Sequence, residues 1–155
     1  MISLDFLDNV EAFNGLDDNQ LAVIVEAAEL MEFKKGDRLF TQGDDATNLW
    51  ILMDGDIELR SETADPEQVS FLSSAHAFGW TCFVPPYKYQ LSGYCASRRS
   101  RVIRIEKTKM DKLFPEHPEI GFALMQYTLH AVGTQFQELE DELAQHRGHD
   151  IMSHW

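Results

Sequence analysis

Between Phe33 and Ile105 the chain is built from short apolar runs broken by glycine–acid turns, and this constrains its fold more than any other feature. Gly36-Asp37 and Gly43-Asp44 mark bends. Residues 49–53 form a near-continuous apolar run, and Asp54-Gly55 separates it from Ile57 and Leu59, which alternate with polar residues. A run, a two-residue Asp-Gly turn and an alternating run predict a β-hairpin. Residues 69–72, 91–96 and 102–105 read as further strands. Many short strands with Gly-rich turns predict a sandwich, jelly roll or barrel. At 155 residues, 44% of them hydrophobic, the chain is long enough to give such a domain a core.

Helical periods flank this stretch. Leu21, Ile24, Val25, Ala28 and Met31 recur at helical spacing, and Asp17 stands three residues before Gln20 as a capping pair. Phe6, Leu7, Val10 and Phe13 predict a shorter helix ended at Gly15. After His117-Pro118, where proline suits a first helical turn, Phe122, Met125, Leu129, Val132, Phe136, Leu139 and Leu143 follow at alternating steps of three and four. That is a heptad seam. It fits a helix lying on its own β domain or a two-stranded homodimer, and a helix this long projects beyond a small β domain, which favours the homodimer. The expected organisation is N-terminal helices over 1–32, the β domain over 33–106, a C-terminal helical region over 107–145 and a mobile tail over 146–155.

Charge narrows the partners. Acidic residues number 26 against 13 basic ones, a net charge of −13. Neutralising phosphates needs a basic surface, so no direct DNA binding is expected, and no anionic membrane surface. No apolar run approaches the ~18 residues of a bilayer span. The N-terminus carries Asp5 and Asp8 without a basic residue, unlike a secretory signal. Two cysteines give no disulfide framework, and the expected setting is the reduced cytoplasm. No P-loop, HExxH or nucleophile elbow is present, so no catalytic residues are expected and the chain is read as a non-enzyme.

The run from Phe33 to Ile57, with Gly36-Asp37, Gln42-Gly43-Asp44, Leu49-Trp50-Ile51-Leu52 and Gly55, resembles the opening of the cyclic nucleotide-binding domain of the cyclic-AMP receptor and fumarate–nitrate regulator superfamily. Ala77-Phe78-Gly79 stands where that family's phosphate-binding cassette begins. Val102-Ile103-Arg104-Ile105 is similar to its last strand, and the segment from Phe114 to Ile120 to the approach to its C-helix. The resemblance implies a mainly β fold with flanking α-helices: a double-stranded β-helix, or jelly-roll-like β-roll, followed by a long C-terminal helix, often dimeric through that helix. Regulators of this superfamily usually carry a helix-turn-helix module after the C-helix. The stretch beyond Leu143 is too short for one, so a stand-alone sensor domain acting through a partner protein is expected.

The resemblance also implies a ligand site, and the sequence departs from it. The family's glutamate for the ribose hydroxyl and its arginine for the phosphate align without a gap onto Trp80 and Gln90. Leu91 replaces the small hydroxyl residue, with Ser92 beside it. Glutamine cannot supply the arginine's charge. From Gly79 to Ser97 the only charged side chain is Lys88, which either serves the phosphate or is solvated at a loop tip. The candidate cassette is therefore Gly79, Trp80, Thr81, Cys82, Lys88, Gln90, Leu91 and Ser92. Its effector is a cyclic nucleotide or another small molecule, and Trp80, Phe83, Tyr87, Tyr89 and Tyr94 suit a planar or apolar one. In the alternative reading Trp80 and Phe83 plug the pocket, leaving a dimeric interaction module.

Cofactors and metals are not expected. An iron–sulfur cluster needs more thiolates than Cys82 and Cys95 supply. Cys82 reads as a small apolar filler or, if a helix N-terminus acts on it, a redox-sensitive thiol. His146, His149 and His154 could hold adventitious metal only if the helix persisted past Gly148, and His76 alone is weak evidence for haem.

Overall fold

The computed structural model describes residues 2–63, 69–72 and 74–147. Two helices open the chain: α1 (Leu4–Asp8), capped by the Ser3 hydroxyl, and α2 (Asp18–Ala27). A 3-10 turn over Glu11–Phe13 joins them, and Gly15 then turns the chain with φ +86°. The Asp17–Gln20 pair closes a full capping box at α2, with both bonds at 2.9 Å.

Eight strands follow among the described residues: β1 (Ala28–Lys34), β2 (Arg38–Phe40), β3 (Asn48–Asp54), β4 (Ile57–Arg60), β5 (Val69–Leu72), β6 (Ala77–Phe78), β7 (Ser92–Cys95) and β8 (Arg99–Glu106). They form two antiparallel four-stranded sheets, ordered β1-β8-β3-β6 and β2-β7-β4-β5. The helices α3 (Lys107–Glu116) and α4 (Pro118–Arg147) complete the fold. This is the expected mainly β roll with flanking helices and a long C-terminal helix.

Two local expectations are corrected. The helical period through Ala28 and Met31 does not carry α2 past Ala27. Ala28 is already extended, and β1 pairs with β8 in the register Leu30↔Ile103 and Met31↔Val102. A stripe of apolar residues serves either period, and pairing with a buried neighbour decides between them. The boundary between helices and roll therefore falls before residue 28, not after residue 32.

The Asp54-Gly55 turn is likewise not a hairpin. β3 pairs with β8 and β6, whereas β4 pairs with β5 and β7 in the other sheet. Residues 49–52 are all buried, as befits a strand inside a sheet covered on both faces. Gly55 takes the chain between sheets at φ +96°, where a Cβ would lie 2.5 Å from the Arg99 carbonyl oxygen. Glycine is required there for both the backbone angle and the close approach.

The core runs without a break from the N-terminal helices through the roll to α4. Leu7, Phe13 and Leu21 meet Leu49, Ile51, Ile57 and Ile103, and Ile120 and Leu124 close it from α4. Ion pairs link neighbouring strands of the first sheet, Arg104–Glu29 at 2.7 Å and Arg101–Asp54 at 3.3 Å. No helix among the described residues is long and apolar enough to cross a membrane. Of the tail expected over 146–155, the backbone of 146 and 147 belongs to α4, and the rest, with His149 and His154, lies outside the described residues.

Candidate functional site: the cassette and the cleft beneath α4

The cassette leaves β6 at Gly79, which adopts φ +75° and lies so close to Trp50 that a Cβ would come within 2.9 Å of its Cδ1. A 3-10 turn over Trp80–Phe83 follows, then a loop through Tyr87 and Lys88, and the chain re-enters the sheet at β7.

Four aromatic rings fill the roll behind this segment. Phe40 stacks on Tyr89 with centroids 4.2 Å apart and lies 5.9 Å from Trp50 and 6.0 Å from Phe78. The Trp50 indole N–H donates to the Tyr89 hydroxyl at 3.2 Å. Phe40 reaches this position because β7 carries glycine opposite it: a Cβ on Gly93 would sit 2.8 Å from the Phe40 ring. What remains is a cleft of about 70 Å³, open on one side. Pockets for drug-sized ligands occupy roughly 300–1,000 Å³.

The structure brings five of the eight cassette candidates to that cleft and leaves three outside it. Gly79, Trp80, Thr81, Gln90 and Leu91 line it, with Phe40, Leu59, Phe78 and Tyr89 as its floor and Gln135 reaching in from α4. None of these side chains carries a formal charge. Cys82 turns into the core, where burial pushes its thiol up to about 12, so the redox-sensitive reading gives way to the filler reading. Lys88 pairs with Asp45 at an exposed loop tip, and its hydrogen bond and charge hold the Asp45 carboxyl below the usual range. Lys88 is thereby spent outside the cleft. Ser92 is buried on the far side of β7, where its hydroxyl accepts from the Gln42 N–H at 2.9 Å.

The residues expected to plug the pocket are also corrected. Phe83 packs against Phe114 of α3 at 6.0 Å, and Trp80 is half-buried at the rim. The filling comes from Phe40, Trp50, Phe78 and Tyr89, three of which lie outside the cassette loop. The small residue at Gly93 was the one local signal for it. Nothing local marks Gln135, which is one residue from the heptad seam.

A second set of polar side chains anchors the chain after β4. The Glu62 carboxylate accepts from the Tyr94 hydroxyl, and this bond and a second from Ser92 hold it below the usual carboxylate range. The Arg60 guanidinium covers the Tyr94 ring at 3.9 Å.

α4 faces two ways. Ile120, Leu124 and Thr128 are buried against the roll, and the Tyr127 hydroxyl donates to the Ala77 carbonyl at 3.3 Å, directly before the cassette. On the opposite side Phe122, Met125, Leu129, Val132, Phe136, Leu139 and Leu143 are all exposed, Leu129 by 72% and Phe122 by 65%.

A family model described as the cyclic nucleotide-binding domain matches residues 30–117. A solved protein of Geobacter metallireducens described as cyclic nucleotide-binding is 26% identical, with a TM-score of 0.73 over 88% of this chain and 99% of its own. The N-terminal domain of a Streptomyces coelicolor transcriptional regulator is 21% identical, with a TM-score of 0.67 over 90% of this chain and 95% of its own. The Thermus thermophilus catabolite activator protein is 18% identical, with a TM-score of 0.72 over 87% of this chain and 63% of its own. At these last two identities the likeness is one of fold. No curated protein matches the sequence. With a family model covering more than half of its length and the roll, cassette and C-terminal helix all in place, the chain belongs to the cyclic nucleotide-binding domain family.

Proposed function

We propose that this chain is a homodimeric regulatory domain that pairs through α4, passes a change at the cassette to a partner protein along that helix, and does not use a cyclic nucleotide as its effector. The observation that carries the proposal is the two-faced helix. One side of α4 is sealed onto the roll and tied to the cassette through Tyr127, while an unbroken heptad of apolar side chains on the other side faces solvent. A heptad seam of this length is covered by pairing with a second helix. At 30 residues α4 is about 45 Å long, longer than the roll needs for its own cover.

The cleft argues against a cyclic phosphate. An anion buried without a positive partner keeps its full desolvation cost, several kcal/mol. Lys88, the one cation in the cassette, is engaged by Asp45. The Geobacter relative is described as cyclic nucleotide-binding, and the rewritten cassette is where this chain departs from that description. Both cysteines are free and buried, in keeping with work in the cytoplasm.

Analytical ultracentrifugation tests the dimer. The double variant Leu129→Asp with Leu139→Asp is expected to sediment as a monomer with unchanged far-UV circular dichroism; a dimer that survives both charges overturns the seam. Millimolar cyclic AMP or cyclic GMP is expected to leave Tm unchanged, whereas a ligand at 100 times its Kd would add about 2.7 kcal/mol and raise Tm by several degrees.

A further inference from the structure

We infer that the cleft between the cassette and α4 takes an uncharged, single-ring planar molecule bearing an amide or hydroxyl group, with the ring beside Trp80 and the polar group bonded to Gln135. This rests on the reading of α4 as the signalling helix and names the effector class for it.

Charge comes first. No lining side chain is a carboxylate, ammonium or guanidinium, so either sign of ligand charge would be desolvated without compensation. The polar groups that do reach the cleft are neutral and of both kinds. Thr81 and Gln90 come from the cassette and Gln135 from α4, and each glutamine amide offers donors and an acceptor together. A primary amide or a hydroxyl can satisfy such groups from two sides. A phosphate or carboxylate cannot.

Shape comes second. The remaining walls are the Phe40 and Tyr89 rings, the Trp80 indole and Leu91, a lining suited to a flat ring. The volume of about 70 Å³ is roughly half of the ~150 Å³ that encloses a benzene ring. One ring therefore fits with its edge in the open mouth or with Trp80 turned outward; a purine riboside does not. Trp80 is the wall able to move. It is half-buried, stands on a four-residue 3-10 turn, and its indole N–H has no hydrogen-bond partner among the described residues, whereas Trp50 behind it is buried and bonded to Tyr89.

Position comes third. Gln135 immediately precedes Phe136 and lies three residues after Val132, both on the exposed seam. A ligand bonded to Gln135 on one side and to the cassette on the other couples the roll to the rotation of α4. It shifts the dimer only to the extent that it binds one helix position better than the other.

The probe is benzamide, with benzoate as its anionic counterpart of equal shape, titrated to millimolar concentration into uniformly 15N-labelled full chain. Saturable shifts of the Trp80 indole N–H and of the Gln135 side-chain amide with benzamide, and none with benzoate or cyclic AMP, are expected. Gln135 is exposed on α4, so Gln135→Leu leaves the fold intact, and it is expected to weaken benzamide about fivefold through loss of one hydrogen bond. Benzamide that moves neither resonance, or benzoate that moves both equally, overturns the inference. Sedimentation of the same samples separates this outcome from that of the proposed function. A dimer indifferent to benzamide overturns the effector class and leaves α4 pairing standing; a monomer that binds benzamide does the reverse.

Discussion

Cys82 shows how much a single position depends on its surroundings. In the sequence it is a thiol at the start of a short helical turn within a ligand-binding segment, a place where a lowered pKa and reactivity are plausible. In the fold its side chain points away from the cleft and burial dominates, pushing the thiol from 9.0 to about 12. A group whose pKa is raised on folding contributes stability that is fully present below its unfolded pKa and is lost as pH rises toward the folded value. Unfolding free energy is therefore expected to fall between pH 9 and 12, by at most about 1.4 kcal/mol per pH unit from this group. Urea titrations across that range check it, and Cys82→Ala, although less stable overall, is expected to flatten that part of the decline. Folded protein is also expected to resist alkylation by iodoacetamide at pH 8. Rapid labelling of Cys82 there would show that the thiol is open to solvent.

Among the elements, α4 is the one the proposed function makes carry the coupling. Its inner face is held by packing at Ile120 and Leu124 and by one specific tie, the Tyr127 hydroxyl on the Ala77 carbonyl. Burial and the nearby Glu11 raise the Tyr127 pKa, so the phenol stays protonated and the donor is kept through the physiological range. Tyr127→Phe leaves the ring in place and removes only that bond. It is expected to cost about 1–2 kcal/mol in urea denaturation and to loosen hydrogen exchange at 77–80 more than elsewhere. Uniform loosening would mean that Tyr127 supports the core generally and does not tie the cassette to the helix. Strand β1 makes the complementary point. Its apolar spacing suits a helix, and the ladder with β8 from Ala28 to Lys34 overrides that preference because without β1 the strand β8 would be left as an unpaired sheet edge.

For the whole molecule, the net charge of −13 sets the terms of association. If the proposed pairing through α4 is parallel, Glu138, Glu140, Asp141 and Glu142 of the two copies come near one another toward the C-terminal end of the helix. Raising salt screens that repulsion while leaving the apolar seam unchanged or strengthened. The dimer dissociation constant is therefore expected to fall severalfold between ~20 mM and ~300 mM sodium chloride, measured by sedimentation equilibrium. A dimer that weakens with salt would be held by ion pairs across the interface, contrary to the seam.

The sequence by itself determined the class of fold, the order of its parts and the apolar repeat along the C-terminal helix. These rest on features that survive without knowledge of distant contacts: glycine at turns, proline at a helix start and an apolar repeat at heptad spacing. It also determined that the cassette lacks its arginine. Tertiary structure alone decided that residues 28–32 join a sheet, that the chain crosses between sheets at Gly55, and that Phe40, Trp50, Phe78 and Tyr89 fill the roll behind the cassette. Each of these depends on residues far apart in the chain: Phe40 beside Gly93, Trp50 bonded to Tyr89, Gln135 and Gln90 lining one cleft. Period and spacing report only on neighbours along the chain. The contents of a cavity are settled by which side chains the two sheets and α4 bring to the same place.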